Sequence, residues 1–174
     1  MAVLVIILAL LIGSFLNVVI YRVPRGKSVV FPPSHCPKCN NQLKWHHLIP
    51  VLSFILNRGR CSYCRNKISF QYPLVEILNS ILWLFLFLKL GLSLNYLFFS
   101  LLSSILLAMS FIDLEHTIIP DGLNLIGIIL GLIYKFSFNY TALGNSFLGL
   151  IVGGGIFLLI ALVTRGAMGG GDIK

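Results

Sequence analysis

The chain has 174 residues, of which 57% are hydrophobic and only 10% charged, and a formal net charge of +8. Soluble domains carry about 25% charged residues, so this chain has too few to coat a water-facing surface, which excludes a soluble globular protein. A +8 charge suits either nucleic acid or an anionic membrane surface. Its distribution selects the membrane, because nine of the 13 Lys and Arg lie between Arg22 and Tyr72, a stretch without Asp or Glu.

Taken in chain order, the apolar residues form blocks near bilayer length rather than amphipathic stripes. Five spans are expected, at 2–21, 74–90, 96–112, 122–136 and 146–164. The first, with residues 1–21 as one unit, lacks the basic start and small-residue cleavage site of a signal peptide. Arg22, Arg25 and Lys27 follow it like a stop-transfer flank. The positive-inside rule then places the N-terminus outside and the basic loop in the cytoplasm. Threading onward puts 11 of the 13 basic residues inside, leaving Lys89 and Lys135 near the outer surface.

Residues 22–73 form the second expected unit and hold all four cysteines, as Cys36-Pro-Lys-Cys39 and Cys61-Ser-Tyr-Cys64. The 21 residues between the two pairs are one more than the upper end of the usual zinc-ribbon gap of roughly 15–20. Four thiolates make a closed tetrahedral site with no open position for water, so a structural rather than catalytic zinc is expected. The alternatives are disulfides or free thiols, and the reducing cytosol argues against disulfides. A loop of some 50 residues with few large apolar side chains builds little core, which is where small domains recruit a metal. His35, His46 and His47 are substitute ligands in principle, although packing or exposure is the plainer reading.

The third unit, 74–174, is a membrane domain of about four spans. It contains every acidic residue of the chain: Glu76, Asp113, Glu115, Asp121 and Asp172, each at or near a cytoplasmic membrane edge. Carboxylates so close to hydrocarbon are costly and are functional candidates. Asp113 ends the third span, and Asp172 follows Gly169-Gly170-Gly171, whose lack of side chains permits close backbone approach. Two such aspartates can share a proton, one acting as base on water while the other donates to a carbonyl oxygen. Spacing alone does not show that they meet. Glu115 reads as a headgroup-level carboxylate, and Glu76 either as functional or as an interfacial partner of Arg22 or Arg65. Gly13, Ser14 and Asn17 share one helix face and read as a packing surface, as do Gly127-xxx-Gly131 and Gly149-xxx-Gly153.

Over its whole length the sequence resembles the prepilin peptidases, the type IV leader peptidases of the GxGD class. The resemblance is carried by Gly13-Ser14-Phe15-Leu16-Asn17 through Tyr21-Arg22-Val23-Pro24, the cysteine pairs and Gly59-Arg60-Cys61. It continues in Tyr72-Pro73-Leu74-Val75-Glu76, Asp113-Leu114, Ile119-Pro120-Asp121 and Gly169-Gly170-Gly171-Asp172. It implies an all-α polytopic transmembrane bundle with a cytoplasmic zinc-ribbon-like insertion, in a bacterial inner membrane. It implies Asp113 and Asp172 as catalytic residues and Cys36, Cys39, Cys61 and Cys64 as zinc ligands. The activity implied is cleavage of a basic leader from prepilin and pseudopilin precursors on the cytoplasmic side, followed in many members by N-methylation from S-adenosylmethionine.

The sequence departs from the family in two places. Trp45-His46-His47-Leu48-Ile49-Pro50 stands where the family has Trp-Tyr-Glu-Asn-Ile-Pro. The chain also stops at Lys174, where relatives continue through further helices. Partners expected are prepilin-type precursors and the lipid bilayer, with no nucleic acid. The rival readings are a non-enzymatic membrane scaffold whose zinc ribbon docks a partner, and a methyltransferase without proteolysis.

Overall fold

A computed structural model of the chain describes residues 1–138 and 143–163. Among these, the α-helices are α1 (Ala2–Arg22), the short α2 (Leu52–Leu56), α3 (Gln71–Leu90), α4 (Leu94–His116), α5 (Asp121–Phe138) and α6 (Leu143–Val163). Two 3-10 turns (Val23–Arg25 and Trp45–Leu48) and two isolated antiparallel bridges complete the described secondary structure. The five long helices fall on the five expected spans, and α1, α3 and α4 are long and apolar enough to cross a bilayer. The chain divides into two compact units, residues 1–108 and 109–174.

The first unit is organised around α1 and α3, which lie side by side and antiparallel. Lipid tails are as apolar as leucine, so such a pair is held by close packing and hydrogen bonds rather than by exclusion of water. Gly13 provides the closest approach: a methyl group added there would lie 2.8 Å from the Cα of Glu76. One helical turn to either side, an amide side chain bridges the pair. Asn79 Nδ2 donates to the Ala9 carbonyl at 2.7 Å, and Asn17 Nδ2 donates to the Tyr72 carbonyl at 2.9 Å. The packing reading of the Gly13–Asn17 face is therefore correct.

The N-terminal part of α4 joins through side chains. The Ser104 hydroxyl donates to Asn79 Oδ1 at 2.7 Å and accepts the Trp83 indole N–H at 2.9 Å. Around this polar thread Val5, Ala9, Trp83 and Tyr96 form the buried apolar cluster. The opposite face of α1, with Val3, Leu4, Ile7, Leu8, Leu11 and Phe15, is exposed, as a lipid-facing surface must be.

Helix ends follow local chemistry. Pro24 and then Gly26, in the left-handed region at φ 63°, stop α1. Beyond them the buried Arg22 guanidinium closes the chain on itself, donating to the Ser28 carbonyl at 2.9 Å and the Pro32 carbonyl at 2.7 Å. Gly91, at φ 62°, ends α3, and the Ser93 hydroxyl caps α4 by accepting the Tyr96 N–H at 3.1 Å.

The second unit holds the end of α4, then α5 and α6. Thr117, at φ 52°, breaks the chain after α4. Pro120 precedes α5, and Asp121 sits in its first turn, where the helix dipole favours a carboxylate. The glycine faces at 127/131 and 149/153 were expected to pack against other helices. Among the described residues nothing lies within 4 Å of a methyl group added at any of the four.

These two kinds of glycine separate in a substitution test. Gly13→Val should cost about 1–3 kcal/mol, since the new side chain meets α3 backbone that cannot swing aside. Gly127→Val should stay within about 0.5 kcal/mol. Thermal unfolding in detergent reads both, and equal losses would refute the close α1–α3 approach.

Candidate functional site

The four cysteines, expected as metal ligands, come together. Their Sγ atoms all lie within 4.8 Å of one another, Cys36 and Cys64 at 3.9 Å, and all four are free thiols. A tetrahedron of sulfurs about a metal, with bonds of about 2.3 Å, has edges of about 3.8 Å. The cluster thus has the dimensions of a closed four-sulfur site.

The site is built from one backbone unit used twice, 25 residues apart. In the first copy Cys36 N–H donates to the Asn41 carbonyl, Asn40 N–H donates back to the Cys36 carbonyl, and Leu43 N–H donates to Ser34. In the second copy Cys61, Asn66, Arg65, Ile68 and Gly59 make the same three bonds. Asn40 and Arg65 occupy the same left-handed position, at φ 56° and 60°, and the bridges His35–Gln42 and Arg60–Lys67 close each hairpin. Each tight turn presents its two sulfurs to the same point.

Electrostatics explain why that point calls for a cation. The Asn66 N–H donates to Cys64 and lowers its thiol to about 7. The equivalent Asn41 N–H favours the Cys39 thiolate, but desolvation and the adjoining Cys36 and Cys64 sulfurs outweigh it and push Cys39 up to about 11. Crowded sulfurs accept one negative charge and resist the next. A bound divalent ion removes that conflict, because coordination deprotonates thiols outright. The histidines stand aside from the cluster. His35 Nδ1 is 3.0 Å from the Pro33 carbonyl oxygen, and His46 and His47 pack edge to face between Trp45 and Tyr63.

Of the two readings of Glu76, the structure bears on the ion pair with Arg22 or Arg65. Glu76 is buried, and its carboxylate makes no ion pair among the described residues; Arg22 is occupied by the Ser28 and Pro32 carbonyls. Glu76 Oε2 instead accepts the backbone N–H of Val51 at 2.8 Å, with the Ser14 hydroxyl as a second donor. Val51 stands at φ 59°, ψ −49°, unusual for a β-branched residue, and Leu52 N–H donates to the Pro50 carbonyl across it. This is a tight γ-turn, a strained conformation that persists where surrounding contacts determine it. Residues 51–52 are thereby clasped to α3. Val51 carries no sequence signal for this role, and only the adjoining Pro50 marks a turn.

Of the two aspartates, Asp113 lies in the last turn of α4, half-buried, with its carbonyl accepting the Thr117 N–H at 2.7 Å. Glu115 is exposed and lies 3.7 Å from His116, consistent with its reading as a surface carboxylate. Asp172 and Gly169–Gly171 lie outside the described residues.

A metal measurement tests the cluster. Purified protein should retain one tightly held divalent ion per chain by elemental analysis. Cys61→Ser should lower that ratio and make residues 34–68 more susceptible to proteolysis. A ratio near zero in the unaltered protein, with four freely titrating thiols, would refute the site.

Comparison with known proteins covers nearly the whole chain. Residues 7–90 match the bacterial peptidase A24 N-terminal domain, and residues 100–174 match the type IV leader peptidase family. A prepilin leader peptidase/N-methyltransferase of Myxococcus xanthus is 38% identical over 98% of this chain and 52% of its own length. The chain thus spans about half of that relative. Proteins of the same name from Neisseria gonorrhoeae and Klebsiella pneumoniae are 36% and 32% identical, over 97% and 93% of this chain and 69% and 76% of their own lengths. No solved structure matches. With membrane-length helices, a four-cysteine cluster and these two adjoining matches, the chain belongs to the type IV leader peptidase family.

Proposed function

We propose that this chain is a membrane aspartic endopeptidase that removes the basic leader of type IV prepilin and pseudopilin precursors. The observation that carries the reading is the family match over residues 100–174, which contains both Asp113 and the Gly169–Asp172 element. The relatives are named prepilin leader peptidase/N-methyltransferase, which supports a second activity, methylation of the new N-terminus with S-adenosylmethionine as donor. The ion in the cysteine cluster is zinc in this reading, because a tetrahedral all-thiolate set is its common structural site. With four protein ligands it leaves no position for water, so its role is structural.

The chemistry falls to Asp113 and Asp172 acting together. One carboxylate takes a proton from water as that water adds to the scissile carbonyl, and the other, protonated, donates to the carbonyl oxygen. Collapse of the tetrahedral intermediate returns a proton to the departing amine. Two carboxyls that share one proton suit this exchange, since like charges at short range hold one of them neutral. Asp113→Asn and Asp172→Asn should each reduce prepilin cleavage by about 10³-fold or more, with the double variant no worse than either single. Glu115→Gln should change little. Cleavage near the unaltered rate in Asp172→Asn would refute the dyad.

Location follows from charge. In this proposal the protein lies in the bacterial inner membrane with its N-terminus outside and with the cysteine loop and aspartates at the cytoplasmic face. A cysteine at Leu92, exposed between α3 and α4, should react with an impermeant reagent from outside the cell. One at Lys27, exposed in the basic loop, should react only after the membrane is opened. The reverse pattern would put the aspartates on the wrong side for cytosolic precursors.

A further inference from the structure

The cysteine loop carries an apolar face that the metal site does not use. In α2, Phe54 turns inward against Phe70 and Gly59. Leu52, Ile55 and Leu56 take the opposite face at i, i+3 and i+4 and are exposed by 55%, 63% and 77%. The 3-10 turn at Trp45–Leu48 abuts α2, and Trp45 there is 78% exposed. Four large apolar side chains so exposed, in a loop otherwise rich in charge, form a surface built to be covered.

We propose that this face, Trp45 with Leu52, Ile55 and Leu56, inserts into the interfacial layer of the bilayer that the chain itself spans. Three observations select lipid as the occupant. The first is position. The face begins one residue after Val51, whose N–H is held at 2.8 Å by Glu76, only five residues into the membrane-length helix α3. Five residues of helix rise about 7.5 Å, and a glutamate side chain leaning toward the helix N-terminus reaches about as far back with its hydrogen bond, so Val51, next to which the face begins, is tethered near the level at which α3 enters the membrane. The interfacial layer on each side of the hydrocarbon is itself about 5–8 Å deep.

The second observation is charge. Residues 22–72 contain nine Lys and Arg and no Asp or Glu, complementary to an anionic headgroup layer. Arg58 and Arg60 follow α2 directly, in the order of an interfacial helix with an apolar side and a basic border. The third is residue type. Tryptophan is favoured at the headgroup boundary, where its ring meets hydrocarbon and its N–H meets water. Trp83, the other tryptophan, is buried with its N–H already satisfied by Ser104, whereas Trp45 is free to fill that role.

Trp45 is the probe for the test. The full chain is reconstituted in phosphatidylcholine–phosphatidylglycerol vesicles whose acyl chains carry bromine either near the headgroup or near the methyl end. The same chain with Trp45→Phe supplies the Trp83 background for subtraction. The Trp45 emission should be about halved by bromine near the headgroup, less affected by deep bromine, and protected from aqueous acrylamide. Ile55→Asp with Leu56→Asp, on the exposed face, should restore acrylamide quenching at least two-fold while the metal content stays at its unaltered value, which shows the loop still folded. Acrylamide quenching without bromine quenching overturns the proposal, because the face then lies in water. Protection from both also overturns it, because another protein surface then covers the face.

Discussion

The contact between Gly13 and α3 is the constraint on which the rest of the first unit depends. In hydrocarbon no water is released when helices meet, so contact is favourable only where backbones approach closely enough for dispersion and hydrogen bonds. Removing one side chain at Gly13 brings α1 against the Cα of Glu76 and sets the depth at which both amide bridges can form. Interhelical hydrogen bonds in membranes average about 0.6 kcal/mol and reach about 1.7, so two bridges position the helices more than they hold them together. Asn79 also uses its oxygen to take the Ser104 hydroxyl, so the same residue that reads α1 places α4. A wider α1–α3 spacing would move Asn79 and break the chain of contacts through Ser104 to Trp83.

The same contact determines what Glu76 does. Its Cα lies at the point of closest approach, so its side chain emerges beside α1, next to Ser14, and points toward the loop rather than along the membrane surface. There it accepts the Val51 N–H, and the loop reaches that bond by adopting a backbone conformation costing about 1–3 kcal/mol. A hydrogen bond returns a similar amount, about 0.5–1.5 kcal/mol to a neutral acceptor and about 1.5–3 kcal/mol to a charged one. The clasp therefore fixes the position of the loop with little net stability. The stability of the loop has to come from elsewhere, and the twofold repeat of cysteine hairpins supplies a site for a metal to provide it.

Much of this arrangement is legible in the sequence because it rests on one-dimensional signals. Apolar block length located the five long helices, and CxxC spacing located the four sulfurs. Gly13, Ser14 and Asn17 identified the packing face because helical periodicity puts them together. What escaped depends on partners. Of the two readings of Glu76, the ion pair with Arg22 or Arg65 is the one the structure replaces: backbone N–H and C=O groups hold Glu76 and Arg22 separately, and the pattern of backbone donors is invisible before folding. Asn79 and Ser104 lie inside apolar spans, where a polar side chain needs a partner and is itself a signal, but the sequence does not say which partner. At the Gly127 and Gly149 faces nothing approaches among the described residues: small residues permit close contact but do not supply the partner. Asp113 and Asp172 are legible as residue types and positions; spacing does not encode tertiary geometry, and Asp172 lies outside the described residues.

The clasp also bears on how a metal in the cysteine cluster could act on the membrane helices from a distance. Residues 36–64 are bounded on one side by the end of α1, where buried Arg22 gathers the chain at Ser28 and Pro32. On the other side lies the start of α3, and in between sits Val51 on Glu76. These are three fixed points on a segment whose own apolar core is small. A metal joining Cys36 and Cys39 to Cys61 and Cys64 ties the stretch before Val51 to the stretch after it, so the clasped turn lies inside a closed loop. Losing the metal would leave the γ-turn strain without that closure, and the simplest relaxation is release of Val51 from Glu76. That would leave a buried carboxylate beside Gly13 short of a donor, so a change at the sulfurs would be felt at the helix contact that organises the membrane unit.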